Sequence, residues 1–317
     1  MAHEVETMAY AGEVPWHGLG VPVSNDLTVY QMMDKANLNW KVHEVPNYVD
    51  WEGQKVNTTF KSLIRETDGR ILTTVGKDWN PVQNEEAFKF FEEYVNVGDM
   101  EMHTAGSLKD GQYVWALAKV KDSFELFSGD KVDSYLLFSN PHVYGKSIDI
   151  RFTPIRVVCN NTLTLSLSGK NNKAVKIRHR TKFNAEQVKE TLGIATEELQ
   201  KYKEVAQYLG STRIKDVETL IHYYNDVYPR DEKHGTTPLK EETLSKPAKV
   251  ALKNFDTQPG AKFAEGSWWQ AFNSVTYSQD HVYGKNKDNR LYNSWFGRGQ
   301  VLKKKALDKA LAFADVA

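Results

Sequence analysis

The hydrophobic period changes once along this chain, and that change limits the fold more than any single motif. Up to about residue 167, apolar residues alternate with polar ones or gather in short runs between glycines and prolines. From Asn184 to Val227 long stretches run without proline or internal glycine, at helical spacing. A two-residue period lines one face of a strand, whereas a 3.6-residue period lines one stripe of a helix. The expected fold is therefore α+β, with a largely antiparallel sheet followed by a helical C-terminal half. The expected division is a strand-rich domain over 1–183 and a mainly helical region over 184–317 packed on it.

The clearest local unit is early. Asn25-Asp26 offers an N-cap before an apolar stripe from Leu27 to Ala36. Trp40–Val45, Thr58–Arg65 and Ile71–Val75 read as strands, the last two joined through the hairpin signal Asp68-Gly69. Asn84 then caps a helix from Glu85 to Val95 whose buried face is Phe88, Phe91 and Val95. Residues 26–96 thus read helix, three strands, helix. Tyr113–Val120, Ser134–Phe138, Asp149–Val158 and Thr162–Leu167 are further strands. Glu186–Leu192, Glu197–Leu209 and Asp216–Asp226 are helices, as are a segment beginning at Trp268 and a Lys-rich one from about Leu302. Tyr10–Pro22 and Pro229–Lys246, broken by glycine and proline, read as loops.

Lys+Arg and Asp+Glu both number 41, so the total charge excludes nothing and its distribution has to be followed instead. Residues 141–182 hold nine cations (Lys146, Arg151, Arg156, Lys170, Lys173, Lys176, Arg178, Arg180 and Lys182) against Asp149 alone. Residues 285–305 hold seven against Asp288, and residues 85–101 reverse the sign with six acids against Lys89. Two basic segments in a neutral chain suggest a face for a polyanion. A solvated surface loop is the plainer alternative. Tyr144, Trp295 and Phe296 lie in or beside these segments, and single-stranded nucleic acid is held by cations on phosphates and rings under bases. The candidate nucleic-acid contacts are therefore Arg151, Arg156, Lys173, Lys176, Arg178, Arg180, Lys182 and Arg298, with Tyr144, Trp295 and Phe296 as stacking residues. Core packing is the alternative for any one ring, and Trp115 and Phe88 are read as core.

The search for chemistry returns little. Nine histidines form no zinc-binding spacing, and Cys159 has no second cysteine, so neither a metal nor a disulfide is expected. Phosphate-binding loop, dinucleotide fingerprint and serine-elbow motifs do not occur. Asp280-His281 is the one carboxylate–imidazole neighbour pair considered for a base, and it is read as structural because adjacent residues seldom face each other. Cys159 is read as a small buried hydrophobe, and Trp16-His17-Gly18 as a packing anchor. No catalytic residue and no cofactor are assigned. A lone thiol suits a reducing compartment, the first residues carry no secretory pattern, and no run approaches the length that spans a bilayer. The expected location is the cytoplasm of a bacterium or host cell, with no membrane partner.

Several strings together carry a family resemblance. They are Pro15-Trp16-His17-Gly18-Leu19-Gly20, Arg151-Phe152-Thr153-Pro154-Ile155-Arg156-Val157-Val158-Cys159-Asn160-Asn161-Thr162-Leu163, Ile177-Arg178-His179-Arg180, Trp269–Thr276 with Asp280-His281, and Trp295-Phe296-Gly297-Arg298-Gly299. Over about residues 10–312 the chain resembles the phage- and plasmid-borne family known as domain of unknown function 932. Tyr277-Ser278-Gln279 departs from it, standing where the family often has an acidic residue after Val-Thr. The resemblance implies mobile-element ancestry and no particular activity. The order over 26–96 is also similar to that of phage single-strand annealing proteins of the Red-beta type, whose β-β-β-α core follows a helix. What that similarity implies is a protein that binds single-stranded DNA and assists annealing or recombination. It would work as a homo-oligomeric ring or filament, alone or with phage or host replication proteins. An enzyme acting on nucleic acid near Asp280-His281, and a host-takeover or anti-defence factor that binds a protein, are the alternatives.

Overall fold

The structure, a computed structural model, describes residues 5–12, 19–96, 99–127, 129–156, 161–162, 175–177, 179, 200–231, 237–283 and 290–316. The chain is mixed α+β, as expected, with strands in the first half and helices in the second. It divides into two compact units whose segments alternate along the sequence. Unit 1 comprises 1–121, 135–151 and 174–195, and unit 2 comprises 122–134, 152–173 and 196–317. The boundary expected at 183 follows element type, whereas these units follow contacts, since hydrophobic periodicity assigns elements but does not assign them to a core.

The larger sheet runs β10 (Asn161–Thr162), β9 (Ile148–Arg156), β8 (Lys131–Pro141), β7 (Tyr113–Glu125), β6 (Met100–Leu108), β1 (Val5–Ala11), β2 (Val21–Val23), and β11 (Val175–Ile177) also pairs with β9. β1 pairs parallel with β2 and antiparallel with β6. At Gly106 of β6 an added Cβ would lie 2.4 Å from the Thr7 carbonyl, so only glycine permits this approach. β1 and β2 flank a stretch that reads as loop, because glycines and prolines mask two short strands.

The helix–three-strand–helix unit is present in the expected order. It is α1 (Val29–Lys35), β3 (Val42–Trp51), β4 (Gln54–Arg65), β5 (Ile71–Gly76) and α2 (Asn84–Asn96). α1 begins two residues later than a cap at Asp26 would start it. Thr28 is the cap, and a reciprocal bond between Thr28 and Gln31 satisfies two free backbone donors. Met32 and Met33 of α1 and Phe88, Phe90 and Phe91 of α2 fill the unit 1 core with Leu63, Leu72, Phe138 and Ile148. Phe90 and Phe138 both pack against Phe91, at 5.1 and 5.9 Å between ring centroids. β3 and β4 are longer than their sequence suggests. They stay paired out to Trp51↔Gln54, with a register shift between Pro46 and Tyr48. Glu52 and Gly53 turn the hairpin with φ of 51° and 78°, a pair of left-handed residues that suits the strand twist. β5 pairs only with Phe60–Ile64, so the ribbon beyond it is two-stranded.

Where β4 meets the rest of unit 1, a buried guanidinium joins three elements. Arg65 donates to Glu6 of β1 at 2.8 Å and to Asp68 at 2.6 and 3.0 Å. The Ser107 hydroxyl of β6 donates to the same Glu6 carboxylate at 3.0 Å. The Trp40 ring lies 5.5 Å from the guanidinium carbon.

Unit 2 is built on helices: α3 (200–211), α4 (Val217–Val227), α5 (Lys246–Thr257), α6 (Trp268–Tyr277), α7 (Arg290–Phe296) and α8 (Arg298–Ala314). α6 is buried from Trp268 to Thr276, as a central helix must be. Tyr202, Tyr223, Tyr224, Ala306 and Ala310 pack in the same core as Trp268, Trp269 and Phe272. α5 begins where the sequence reads as loop. Ser245 caps it and Pro247 sits in its first turn, where the missing N–H costs nothing. Among the described residues no helix is long and apolar enough to cross a membrane.

Replacing Arg65 with Met leaves the Glu6 carboxylate without its cation. It is expected to lower stability by about 3 kcal/mol, read as a fall in urea midpoint with an unchanged slope.

Candidate nucleic-acid interface

The basic string is attached to unit 1 through its backbone and through one buried histidine. β11 lies antiparallel to β9, with Lys176 opposite Asp149. Two residues on, His179 is buried, with its ring stacked 4.0 Å from that of Trp79. Its Nδ1 faces the Asn80 carbonyl at 3.3 Å, and the Asn80 amide donates to the His179 carbonyl at 2.9 Å. A second buried histidine, His142 at the end of β8, stands beside it. His142 Nε2 lies 3.1 Å from Asn84 Oδ1, while the Asn84 amide nitrogen donates to the Leu38 carbonyl at 3.1 Å. The Asn84 oxygen is therefore the acceptor, and His142 carries its proton on Nε2. Nδ1 is buried and unprotonated. Burial lowers the His142 pKa to about 3, with the nearby His179 adding to the effect. Burial likewise lowers His179 to about 4, against the opposing pull of the Asn80 and Pro141 carbonyls. Asn84 is thus not the helix cap that its position suggests, but a bridge between the start of α2 and the end of β8. No spacing in the sequence announces His142 or Asn84, because their partners lie about 40 to 60 residues away.

The predicted contacts separate. Tyr144, in the turn between β8 and β9, is 64% exposed, and Lys146 is exposed beside it. The Tyr144 amide lies 3.5 Å from the Thr73 hydroxyl of β5. Arg151 is not available to a phosphate. Its Nε lies 2.8 Å from both Asp149 oxygens, Nη2 bonds the same carboxylate, and both side chains are largely buried. Arg156 sits in β9 opposite Asn161. Lys173, Arg178, Arg180 and Lys182 lie outside the described residues, as does Cys159. In unit 2, Trp295 is 4% exposed and edge-on to Phe296 at 6.2 Å. It is a core residue of that unit and not a stacking platform. Phe296 is half-buried against Tyr292 at 5.9 Å, and Arg298 is exposed at the start of α8.

Asp280 belongs to framework as well. It lies in a π-helical turn, Ser278–Val282, that follows α6, and it is buried. Ser294 of α7 donates to it at 2.6 Å and Lys303 of α8 at 2.8 Å, and Lys303 also reaches Ser294 at 2.8 Å. Burial lowers the Lys303 pKa, and the Asp280 charge opposes that shift. His281 packs against Tyr277 at 4.9 Å. The three groups tie the turn after α6 to the last two helices. Among the described residues no cluster of three or more His, Cys, Asp or Glu side chains is placed to hold a metal ion.

Fold and site together define a two-unit α+β protein in which most of the distinctive strings serve as framework: the Arg151–Asp149 pair, the His179 anchor, the buried α6, and Trp295. The chain belongs to the family described as "Domain of unknown function (DUF932)", whose model matches residues 71–296, from β5 to the end of α7. That match is narrower than the resemblance over 10–312, and it leaves β1 to β4 outside. No curated protein and no solved structure matches the chain.

Two measurements follow from the buried polar groups. In the unfolded chain His142 and His179 take up protons near pH 6.5, whereas in the fold they do so only near 3 and 4. The unfolded state therefore binds more protons between those values. Stability should be full above about pH 6.5 and should fall as pH drops, by up to about 1.4 kcal/mol per pH unit for each histidine. Urea titrations between about pH 6.5 and 5 read this slope, and His142→Asn should make it shallower by about one proton. In unit 2, Lys303→Met strands a buried carboxylate and should cost about 3–5 kcal/mol. Adding Asp280→Asn should recover much of that loss in a double-mutant cycle.

Proposed function

We propose that this protein binds single-stranded nucleic acid and promotes strand annealing, without a cofactor. The observation that carries the reading is that β11, with Lys176, pairs with β9 and that His179 is buried against Trp79, in the same fold unit that presents the exposed Tyr144 and Lys146. Cations together with an exposed aromatic ring in one fold unit suit a strand with unpaired bases. In this reading Lys146, Lys176, Arg178 and Arg180 neutralise phosphates and Tyr144 stacks on a base. Arg151 and Trp295 take no part. The helix, three strands and helix over 29–96 are similar to the element order of phage annealing proteins of the Red-beta type, an order that α+β meanders of other functions share. The same reading puts the protein in the cytoplasm, where a lone cysteine stays reduced.

Fluorescence anisotropy with a labelled single strand at two salt concentrations tests the proposal. Affinity should fall steeply with salt. Arg178→Ala with Arg180→Ala should weaken binding and reduce the magnitude of the salt slope by about 1.4, two lost phosphate contacts on a single strand. Tyr144→Ala should cost about 1–3 kcal/mol while Tyr144→Phe keeps most of the affinity. Unchanged affinity in the double arginine variant, with its fold intact, would overturn the assignment.

A further inference from the structure

We propose that the β3–β4 hairpin is a self-association arm whose tip seats in the cleft beside β1 and β2 of a second copy of this chain. The inference gives an interface to the homo-oligomer that the nucleic-acid reading expects, and it can fail while that reading stands.

The arm's two faces differ. Cross-strand register pairs Val49 with Val56 and Trp51 with Gln54, and these alternate positions share one face. Val49, Trp51 and Val56 are 53%, 67% and 46% exposed. The other face carries Asp50 opposite Lys55 and Tyr48 opposite Asn57, with the Lys55 ammonium 4.4 Å from the Tyr48 ring centroid. One side of the ribbon is therefore polar and partnered, and the other is bare and apolar. An isolated two-stranded ribbon is marginal in water, so an exposed tryptophan between two valines on such a ribbon calls for a cover. Pro46 and the register shift beside it blunt the β3 edge near the base of the ribbon. The apolar face is the surface that docks.

Unit 1 holds a receptor of matching chemistry. An open cleft of about 520 Å³ is lined by Val5, Met8, Leu19 and Val21, with Lys35 and Glu6, the latter already paired with Arg65, among its polar lining. Gly20 forms part of its wall with φ of +104°, and a Cβ there would press on Met8 and Tyr10 at 3.1 Å. The glycine keeps the cleft open. Glu52 follows Trp51 at the tip and is exposed, and Lys35 is exposed at the receptor, so an acid can meet a cation where the apolar surfaces meet. A chain cannot readily serve itself. Arg65 at the arm's base already touches Glu6, which lines the cleft. The tip lies eleven residues further along β4, about 36 Å at strand rise. An arm of one copy in the cleft of another gives either a reciprocal dimer or a head-to-tail ring or filament.

Sedimentation velocity of the full chain across the micromolar range tests this, with circular dichroism to confirm folding. The chain should self-associate. Trp51→Glu, a surface change, should weaken association about thirtyfold or more, as loss of a central aromatic anchor does. Lys35→Glu should weaken it also, and Glu52→Lys in the Lys35→Glu background should restore it. Mixing a Trp51→Glu chain with a Val21→Glu chain should give a heterodimer held by the one sound arm and the one sound cleft. A chain that is monomeric at every concentration overturns the proposal, as does an oligomer indifferent to Trp51→Glu. Loss without rescue by charge exchange overturns it equally. So does a Trp51→Glu variant that loses nucleic-acid affinity while its oligomer persists.

Discussion

The buried Arg65 cluster is the constraint on which unit 1 depends. A guanidinium with little access to water must keep its charge neutralised, and Glu6 and Asp68 supply that, from β1 and from the loop after β4. Both carboxylates and their hydrogen bonds hold Arg65 protonated at any ordinary pH. The requirement extends to Gly111 in the β6–β7 turn. An added Cβ there would lie 2.6 Å from the Arg65 guanidinium, and its φ of +85° suits glycine in any case. The three-stranded meander is thereby fixed at one end to the main sheet. Its far end is left clear, which is why a long hairpin can stand out from unit 1 without loosening the core beneath it.

The parts of the fold legible in the sequence are those where the pattern is local. α2 declares itself through Phe88, Phe91 and Val95, and the core takes up that face. α4 and the start of α6 declare themselves in the same way. The distal half of the β3–β4 hairpin does not. Pro46, Asn47, Asp50, Glu52 and Gly53 all read as breakers, and a left-handed Glu52 is too uncommon to be expected. Pro46 is tolerated because β3 is an edge strand, a fact that belongs to the sheet and not to the segment. Pro247 misleads in the other direction. It reads as a loop residue and is instead the first turn of α5.

The candidate site is less legible, and Arg151 shows why. Asp149 was the one acid set against nine cations, yet residues two apart on a strand share a face. The periodicity that predicts β9 also places that acid against Arg151. Counting charge along the chain hides such pairing. Trp295 is a similar case, for an aromatic ring beside basic residues reads as a platform until the helix that carries it is seen to bury it. The histidine pair has no local signature at all. His142, Asn84, His179 and Trp79 are brought together by the ends of different elements, and only tertiary structure makes neutral imidazoles of them.

The alternation of the two units along the chain bears on how the protein is made. The backbone passes from one unit to the other at 121/122, 134/135, 151/152, 173/174 and 195/196. Unit 1 is not complete on the ribosome until 174–195 has emerged. By then 122–134 and 152–173 have been synthesised, while the helices on which Leu126 and Val132 pack have not. Leu126 and Val132, both core residues of unit 2, must therefore wait for Trp268, Trp269 and Phe272. Unit 2 therefore cannot close until the C-terminal helices are made, whereas all of unit 1 has emerged by residue 195, with two segments of unit 2 carried between its own.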